Sequence, residues 1–338
     1  MTSARGPAPL PLTLLTVCMN RWQHLRQTAA ATARSPWHQH HLIIDWSSQE
    51  PLRPEELPDD PRIRLVRVEG ETTWHHTRAF NFGLGLVTTE TVLKLDADVW
   101  IEQAAGPDLS CPDDLSCPDD LSCPEGVFRV MEARAGLYGT VLARLADLRA
   151  VGGYNEFLSG YGKEDKDLYR RLEQRCRLEP LPAGLLGCLD SGDELRAASA
   201  GARRLSGAGQ QQWSGSLIAA SRARNALIAK RCPWSANQPH SRYEQLGPDR
   251  YRVVGASLPT PPQAVAESAR ITYRAVLLSK LLGVHERLIV AWLSPRQQEQ
   301  LIARPRLALT LARSLEAGNR LLLLGVKLIL RLCGDPPP

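Results

Sequence analysis

Apolar residues in the first hundred positions come in short blocks, not in long helical stripes. Thr13 to Cys18 reads Thr-Leu-Leu-Thr-Val-Cys, and Leu42 to Asp45 is a shorter run that ends in an acid. Ile63, Leu65, Val66 and Val68 form a third block, and Val92 to Leu95 a fourth. Their β-branched and leucine content and their lengths predict buried strands. Between them, an Ala-rich segment to about Arg34, with Asn20 as its cap, and the stretch Thr73 to Leu86 predict helices. Strand and helix alternating over short links predicts an α/β fold with a mixed, mainly parallel sheet flanked by helices.

The pattern resumes with strands at Val127 to Val130 and Tyr138 to Arg144, then a helix opened by Glu164, Asp165 and Asp167. Leu178 to Leu186 predicts a strand or edge segment broken by Pro180 and Pro182, as edge strands tolerate. From Ala197 to Gln212 the chain turns to Ala, Gly, Ser and Arg, the composition of a mobile loop, and Trp213, read as part of that Gly-rich loop, is a candidate lid residue over the donor. Leu217 to Lys230 predicts a helix with a basic face. Pro259, Pro261 and Pro262 mark a boundary, beyond which 264 to 295 and 296 to 331 read as a C-terminal helical extension. The expected organisation is a sheet-bearing domain over 12–260, with halves at 12–100 and 127–195, followed by a helical region over 264–332. The last apolar run, Leu321 to Leu332, is interrupted by Lys327 and Arg331 and is too short to cross a bilayer. Packing on the core or on a second copy is the expectation, with peripheral membrane contact as the alternative.

A chain of 338 residues can fill a full α/β core. The net charge of +5 is modest and its basic residues are interspersed with acids, which argues against a nucleic-acid partner and suits a small phosphate-bearing one. The first fifteen residues are poorly shaped for a signal peptide. Three of the eight cysteines lie in one repeat and the others are scattered, unlike a disulfide framework, so a cytoplasmic location is expected. That repeat, Asp-Leu-Ser-Cys-Pro three times within 107–124, reads as an acidic surface loop expanded by duplication. The alternative is a metal-holding loop using Cys111, Cys117 and Cys123, whose spacing of six lacks the close Cys-x-x-Cys pairing of structural zinc sites.

Candidate chemistry gathers at two places. Asp96 and Asp98 follow the fourth strand as alternate residues around the small Ala97, at the strand end that lines a ligand crevice in open α/β sheets. Two carboxylates there can hold a divalent ion, and the ion a diphosphate. No Gly-rich dinucleotide turn follows the first strand, and no Walker-type phosphate loop exists, so the strand-end acids Asp45 and Asp98 are the visible alternatives. The second place is Gly152-Gly153-Tyr154-Asn155-Glu156 through Gly160-Tyr161-Gly162-Lys163-Glu164-Asp165-Lys166-Asp167. Acids in a first helical turn suit the helix dipole, but that does not explain the glycines and aromatics before them. His75 and His76 lie on a predicted helix, either at the surface or cap, or touching substrate.

With these residues in view, Thr-Val-Cys-Met-Asn-Arg, Ile43-Ile44-Asp45, Thr77-Arg78-Ala79-Phe80-Asn81 and Leu95-Asp96-Ala97-Asp98 resemble the nucleotide-sugar-binding half of GT-A glycosyltransferases. Val151 to Arg170 is similar to the acceptor motif of the galactosyltransferase-like branch, which includes β-1,4-galactosyltransferases and chondroitin-type polymerases. The resemblance covers about residues 12 to 195, without the repeat. It implies a UDP-sugar donor, galactose or N-acetylgalactosamine, a saccharide acceptor, and manganese or magnesium as cofactor. It implies Asp98 as direct metal ligand, Asp96 toward the ribose or the ion's shell, Asp45 toward the uracil or ribose, and Arg21 and Arg78 near the diphosphate or nucleotide. It implies Asp165 as catalytic base in an inverting transfer, Glu164 gripping the acceptor sugar, and Tyr161 stacking on it. Where that branch supplies a histidine ligand, this chain reads Leu189-Asp190-Ser191-Gly192-Asp193-Glu194, so Asp193 or Glu194, and less readily Asp190, are the candidate substitutes.

Overall fold

The computed structural model describes residues 10–102, 121–131, 137–189 and 210–281, together with the helical positions 321, 324, 325 and 328. Asp193, Glu194, most of the hexapeptide repeat and the greater part of the C-terminal region lie outside the described residues.

Strand β1 (Leu10–Cys18) is the axis of the sheet. It pairs in parallel with β2 (His38–Trp46) on one side and β4 (Thr91–Asp96) on the other. Beyond β2 come β3 (Ile63–Glu69), then the late hairpin β11 (Arg250–Val253) and β10 (Tyr243–Gly247). Beyond β4 the direction reverses. β7 (Val141–Arg144) runs antiparallel to β4; β6 (Val127–Val130), antiparallel to β7, returns to the direction of β4, and β8 (Arg177–Pro180) closes that edge in parallel with β6. Among the described residues the sheet has nine strands, and β5 (Val99–Ile101) and β9 (Leu186–Cys188) form a small separate ribbon. The single edge segment expected over Leu178 to Leu186 is therefore two strands in two sheets, with Pro180 ending the first at an edge where its missing N–H costs nothing.

Alternation along the strands fills both faces. Leu15, Val17, Ile44, Trp46, Val66, Val92, Phe128 and Val141 pack with α2 (His76–Leu86), α3 (Leu145–Ala150) and α4 (Glu164–Leu172). Leu12, Leu14, Leu93 and Leu95 face the other way, where Leu25 and Ala29 of α1 (Trp22–Ala33) pack with Ile43. The helix α5 (Gln210–Arg231) packs on α6 (Gln263–Leu281), which begins just past the proline cluster. No helix among the described residues is long and apolar enough to cross a membrane.

Three local expectations are corrected. Asn20 does not cap α1: its φ is +57°, its Oδ1 accepts the Gln49 N–H at 2.8 Å, and Arg21 holds the cap position. The second helix starts at His76, not Thr73. Helix α5 starts at Gln210, so residue 213 is helical and not part of a loop. Cys123 of the repeat is half-buried and its thiol donates to the Val127 carbonyl at 3.2 Å. Burial pushes that thiol up to about 11, so it stays protonated, which favours a structural role over metal binding for Cys123.

Candidate active site

Parallel pairing around β1 brings the strand-end acids to one rim. Val17 of β1 is level with Asp96 of β4, and Cys18 with Asp45 of β2. The rim is completed by the Gly152–Lys163 loop, and hydrogen bonds explain why the two motifs that carry the resemblance belong together. The Asn81 amide of α2 donates to the Tyr154 carbonyl and to Glu156 Oε1, both at 2.8 Å, and its Oδ1 accepts the Tyr154 N–H at 2.7 Å. Glu156, buried, also accepts from the Ser241 N–H and hydroxyl at 2.9 and 2.6 Å. From the far side Arg171 donates to the carbonyls of Val151 and Gly153 at 2.6 and 2.7 Å while pairing with Asp167 at 2.9 Å. Asp167 therefore serves the loop's geometry.

The double glycine is needed for space as well as conformation. Gly152 has φ of +75°, and a Cβ there would lie 2.6 Å from the Ser235 carbonyl carbon and oxygen. Gly153 has φ of +60°, and its Cβ would lie 2.3 Å from Asn81 Oδ1. Only glycine fits both demands.

At the end of this loop, Lys163 turns left-handed and α4 begins with Glu164 and Asp165. Lys94, buried on β4, connects these acids to the strand end. Its Nζ is 2.8 Å from Asp96 Oδ1 and 3.7 Å from Asp165 Oδ1. The Tyr154 hydroxyl lies 3.4 Å from the same Asp165 oxygen. Burial raises Asp165 to about 6, with Lys94 opposing that rise. Burial, then the neighbouring Asp165 charge, raises Glu164 to about 8. Burial also works against the charge on Lys94, but Asp165 and Asp96 outweigh it and hold its pKa above the ordinary lysine range. Burial works against the Asp96 carboxylate, and Lys94, His76 and Arg21 together outweigh it to hold that pKa low.

Asp98 is nearly buried, and Arg21 Nη1 approaches its Oδ2 at 3.9 Å. Asp45 is sealed under the turn that follows β2: Oδ1 accepts the Ser48 N–H at 3.1 Å, Oδ2 accepts the Leu52 N–H at 3.2 Å, and Arg67 pairs with Oδ2. Arg78 is buried and paired with Glu71 at 2.5 Å. The Tyr161 N–H donates to Ser221 Oγ at 2.9 Å, and the Arg222 guanidinium lies 5.2 Å from its ring. The structure thus brings Asp96, Asp98, Arg21, Glu164 and Asp165 to one region, while Asp45 and Arg78 have protein partners of their own. His75 is buried, not on the surface, with Nδ1 at 3.1 Å from Thr77 Oγ1 and no side-chain cap bond. The His76 ring packs 4.6 Å from Phe80 and 5.3 Å from Tyr154.

Sequence reasoning gave no role to Lys94 or Gly139, and Tyr154 entered it only as part of the second motif. A Cβ on Gly139 would sit 3.0 Å from Asp96 Oδ2 and Lys94 Nζ, and 3.3 Å from Asp165 Oδ2. A signal for Lys94 existed: a lone lysine in an apolar strand, two residues before an acid and so on the same face.

A hard divalent cation fits the oxygen chemistry of Asp98 and Asp96. Among the described residues, however, no three His, Cys, Asp or Glu side chains come together as a metal-holding group, and Asp96 is already paired with Lys94. Asp98, with Arg21 at 3.9 Å, is the other strand-end carboxylate.

Residues 129–184, which carry the second half of β6, then β7, α3, the double-glycine loop, α4 and β8, match the family described as the N-terminal domain of galactosyltransferase. No curated protein sequence matches the chain. Among solved structures, the catalytic domain of Drosophila β1,4-galactosyltransferase 7 in complex with xylobiose is 10% identical, covering 72% of this chain and 92% of that one at a TM-score of 0.40. The mannosyltransferase PcManGT from Pyrobaculum calidifontis, in complex with GDP-Man and Mn2+, is 13% identical, covering 97% and 90% at a TM-score of 0.46. Residues 1–349 of S. aureus TarS are 12% identical, covering 80% of each chain at a TM-score of 0.40. None of these likenesses is close enough to carry a residue's role to this chain. The described residues form a mixed, mostly parallel sheet flanked by helices with a C-terminal helical extension, an architecture consistent with the GT-A fold, and the family match is confined to residues 129–184.

Proposed function

We propose that the protein is an inverting glycosyltransferase that moves a sugar, galactose or N-acetylgalactosamine, from a UDP-sugar to a hydroxyl of a saccharide acceptor. The observation that carries this reading is the Lys94 ammonium, 2.8 Å from Asp96 and 3.7 Å from Asp165, which makes the strand-end acids and the first turn of α4 one site. A transferase needs that adjacency, because the donor's phosphates and the acceptor's base must lie on either side of one reacting carbon.

Asp165 takes the proton from the acceptor hydroxyl as that oxygen attacks the anomeric carbon, and the bond to the diphosphate breaks with its electrons leaving on UDP. Raised by burial yet opposed by Lys94, its carboxylate is a stronger base than an exposed one while staying ionised at neutral pH. Glu164, whose protonated form burial favours, holds an acceptor hydroxyl by hydrogen bonding. Arg21 supplies positive charge beside Asp98. Tyr161 offers a ring face to the acceptor sugar, and Arg78 and Asp45 shape the nucleotide's surroundings through Glu71 and the turn after β2. Asp98, aided by Asp96, would hold manganese or magnesium, and Asp193 or Glu194 would complete the set. Such an ion, when bound, neutralises charge on the departing diphosphate.

Release of UDP from UDP-galactose and UDP-N-acetylgalactosamine, measured with a panel of saccharide acceptors, tests the reading. Transfer that Asp165→Asn reduces by about 10²-fold or more, with UDP affinity unchanged, supports it. UDP binding with no transfer by the wild type would favour a protein that keeps the fold as a binding or assembly module.

A further inference from the structure

Lys94 interrupts an apolar strand. Val92 and Lys94 point toward α2 and α4, while Leu93 and Leu95 pack on the opposite face. The lysine side chain is 4% exposed, and burying an ammonium is unfavourable unless it is paired. Its nitrogen meets carboxylates from two distant parts of the chain, Asp96 at the strand's own end and Asp165 in the first turn of α4. The Phe80 ring, 4.7 Å away, backs it from α2. Gly139 lies against the same groups: a Cβ there would come within 3.0 Å of the ammonium and of Asp96 Oδ2, so one of them must shift by a few tenths of an ångström to admit it.

Without a cation between them, Asp96 and Asp165 would be like charges in a buried place and would push the strand end away from the helix. An ammonium fixed to β4 makes that junction attractive and gives it one geometry. We propose that Lys94 is a positioning residue that ties the donor strand, through Asp96, to the acceptor helix, through Asp165, and so sets the separation between donor and base. The inference rests on the transferase reading above. The tie engages Asp96 through its Oδ1, so the larger share of holding the cation falls to Asp98.

The test uses full-length wild type, Lys94→Met, Lys94→Arg and Gly139→Ala. UDP binding with Mn2+ is measured by calorimetry, and kcat and KM are measured for UDP release from UDP-galactose. A positioning role predicts that Lys94→Met binds UDP within about threefold of wild type, with donor KM similarly unchanged, while kcat falls about 30-fold or more. Lys94→Arg recovers part of the loss. Gly139→Ala, which crowds the ammonium without removing it, shows the same split and serves if Lys94→Met does not fold. A kcat within about threefold of wild type, or a UDP affinity that falls in step with kcat, would overturn the proposal. A wild type that releases no UDP would instead defeat the transferase reading. The tie is then tested alone by thermal unfolding of Lys94→Met, Asp165→Asn and the double variant, where non-additive shifts support it and additive ones reject it.

Discussion

Glu164 and Asp165 are adjacent in sequence, yet their carboxyls meet different surroundings at the start of α4. Asp165 has Lys94 at 3.7 Å and the Tyr154 hydroxyl at 3.4 Å, whereas Glu164 Oε2 is buried without a hydrogen-bond partner among the described residues. Burial, then the Asp165 charge, pushes Glu164 well above the usual carboxylate range, which favours its neutral, protonated form. A neutral amide should then replace it well. Glu164→Gln is expected to keep kcat within about tenfold of wild type at pH 7, while Glu164→Ala loses about 10²-fold or more. Equal losses in the two variants, from steady-state kinetics, would show that Glu164 works as a carboxylate.

The double glycine should be intolerant at its first position. Alanine at Gly152 would drive a Cβ into the Ser235–Ala236 backbone in a left-handed conformation, and backbone cannot step aside as a side-chain end can. The expected loss for Gly152→Ala is roughly 3 kcal/mol or more in urea unfolding. Gly85 of α2 is the control. Nothing lies within 4 Å of a Cβ there, and Gly85→Ala should gain about 0.5–1 kcal/mol. Similar effects at both sites would contradict the packing described.

Acid should weaken the fold through β2. His38 and His41 are buried with ring centroids 6.2 Å apart, beside Asp60 and Arg62. Burial, then Arg62, pushes His38 down to about 4; burial, then His38, pushes His41 down to about 3. The unfolded chain takes up both protons near pH 6.5, above the pH at which the folded protein does. The unfolded state therefore binds more protons in that interval, and stability present above pH 6.5 is lost as pH falls toward 4. His38→Leu removes an imidazole with neither nitrogen hydrogen-bonded among the described residues, and should flatten the decline. Urea midpoints between pH 5 and 8 that do not change with pH would sink this account.

Most of the sheet was legible because buried strands announce themselves by composition: Thr13 to Cys18 and Val92 to Leu95 needed no partner to be read. The acids at their ends were legible for the same reason, since a polar residue closing an apolar block marks the rim. Asn20 misled because cap preference is statistical, and here its side chain has a better partner in the Gln49 N–H of another loop. Lys94 escaped because its importance lies in Asp165, far along the chain and brought near only by folding. Gly139 escaped likewise: it leaves no local mark, and its role is the space that Lys94 and Asp96 occupy. Asp167 was legible as part of a motif, but its task, pairing with the Arg171 that holds the Val151 and Gly153 carbonyls, became clear only from the contacts.

The most direct test of the donor site is calorimetric binding of UDP and GDP, with and without Mn2+, to wild type and Asp98→Ala. The account predicts that UDP binds in preference to GDP, more tightly with the ion, and that Asp98→Ala abolishes the gain from the ion. UDP binding that ignores both Mn2+ and the substitution, or no nucleotide binding at all, would contradict it.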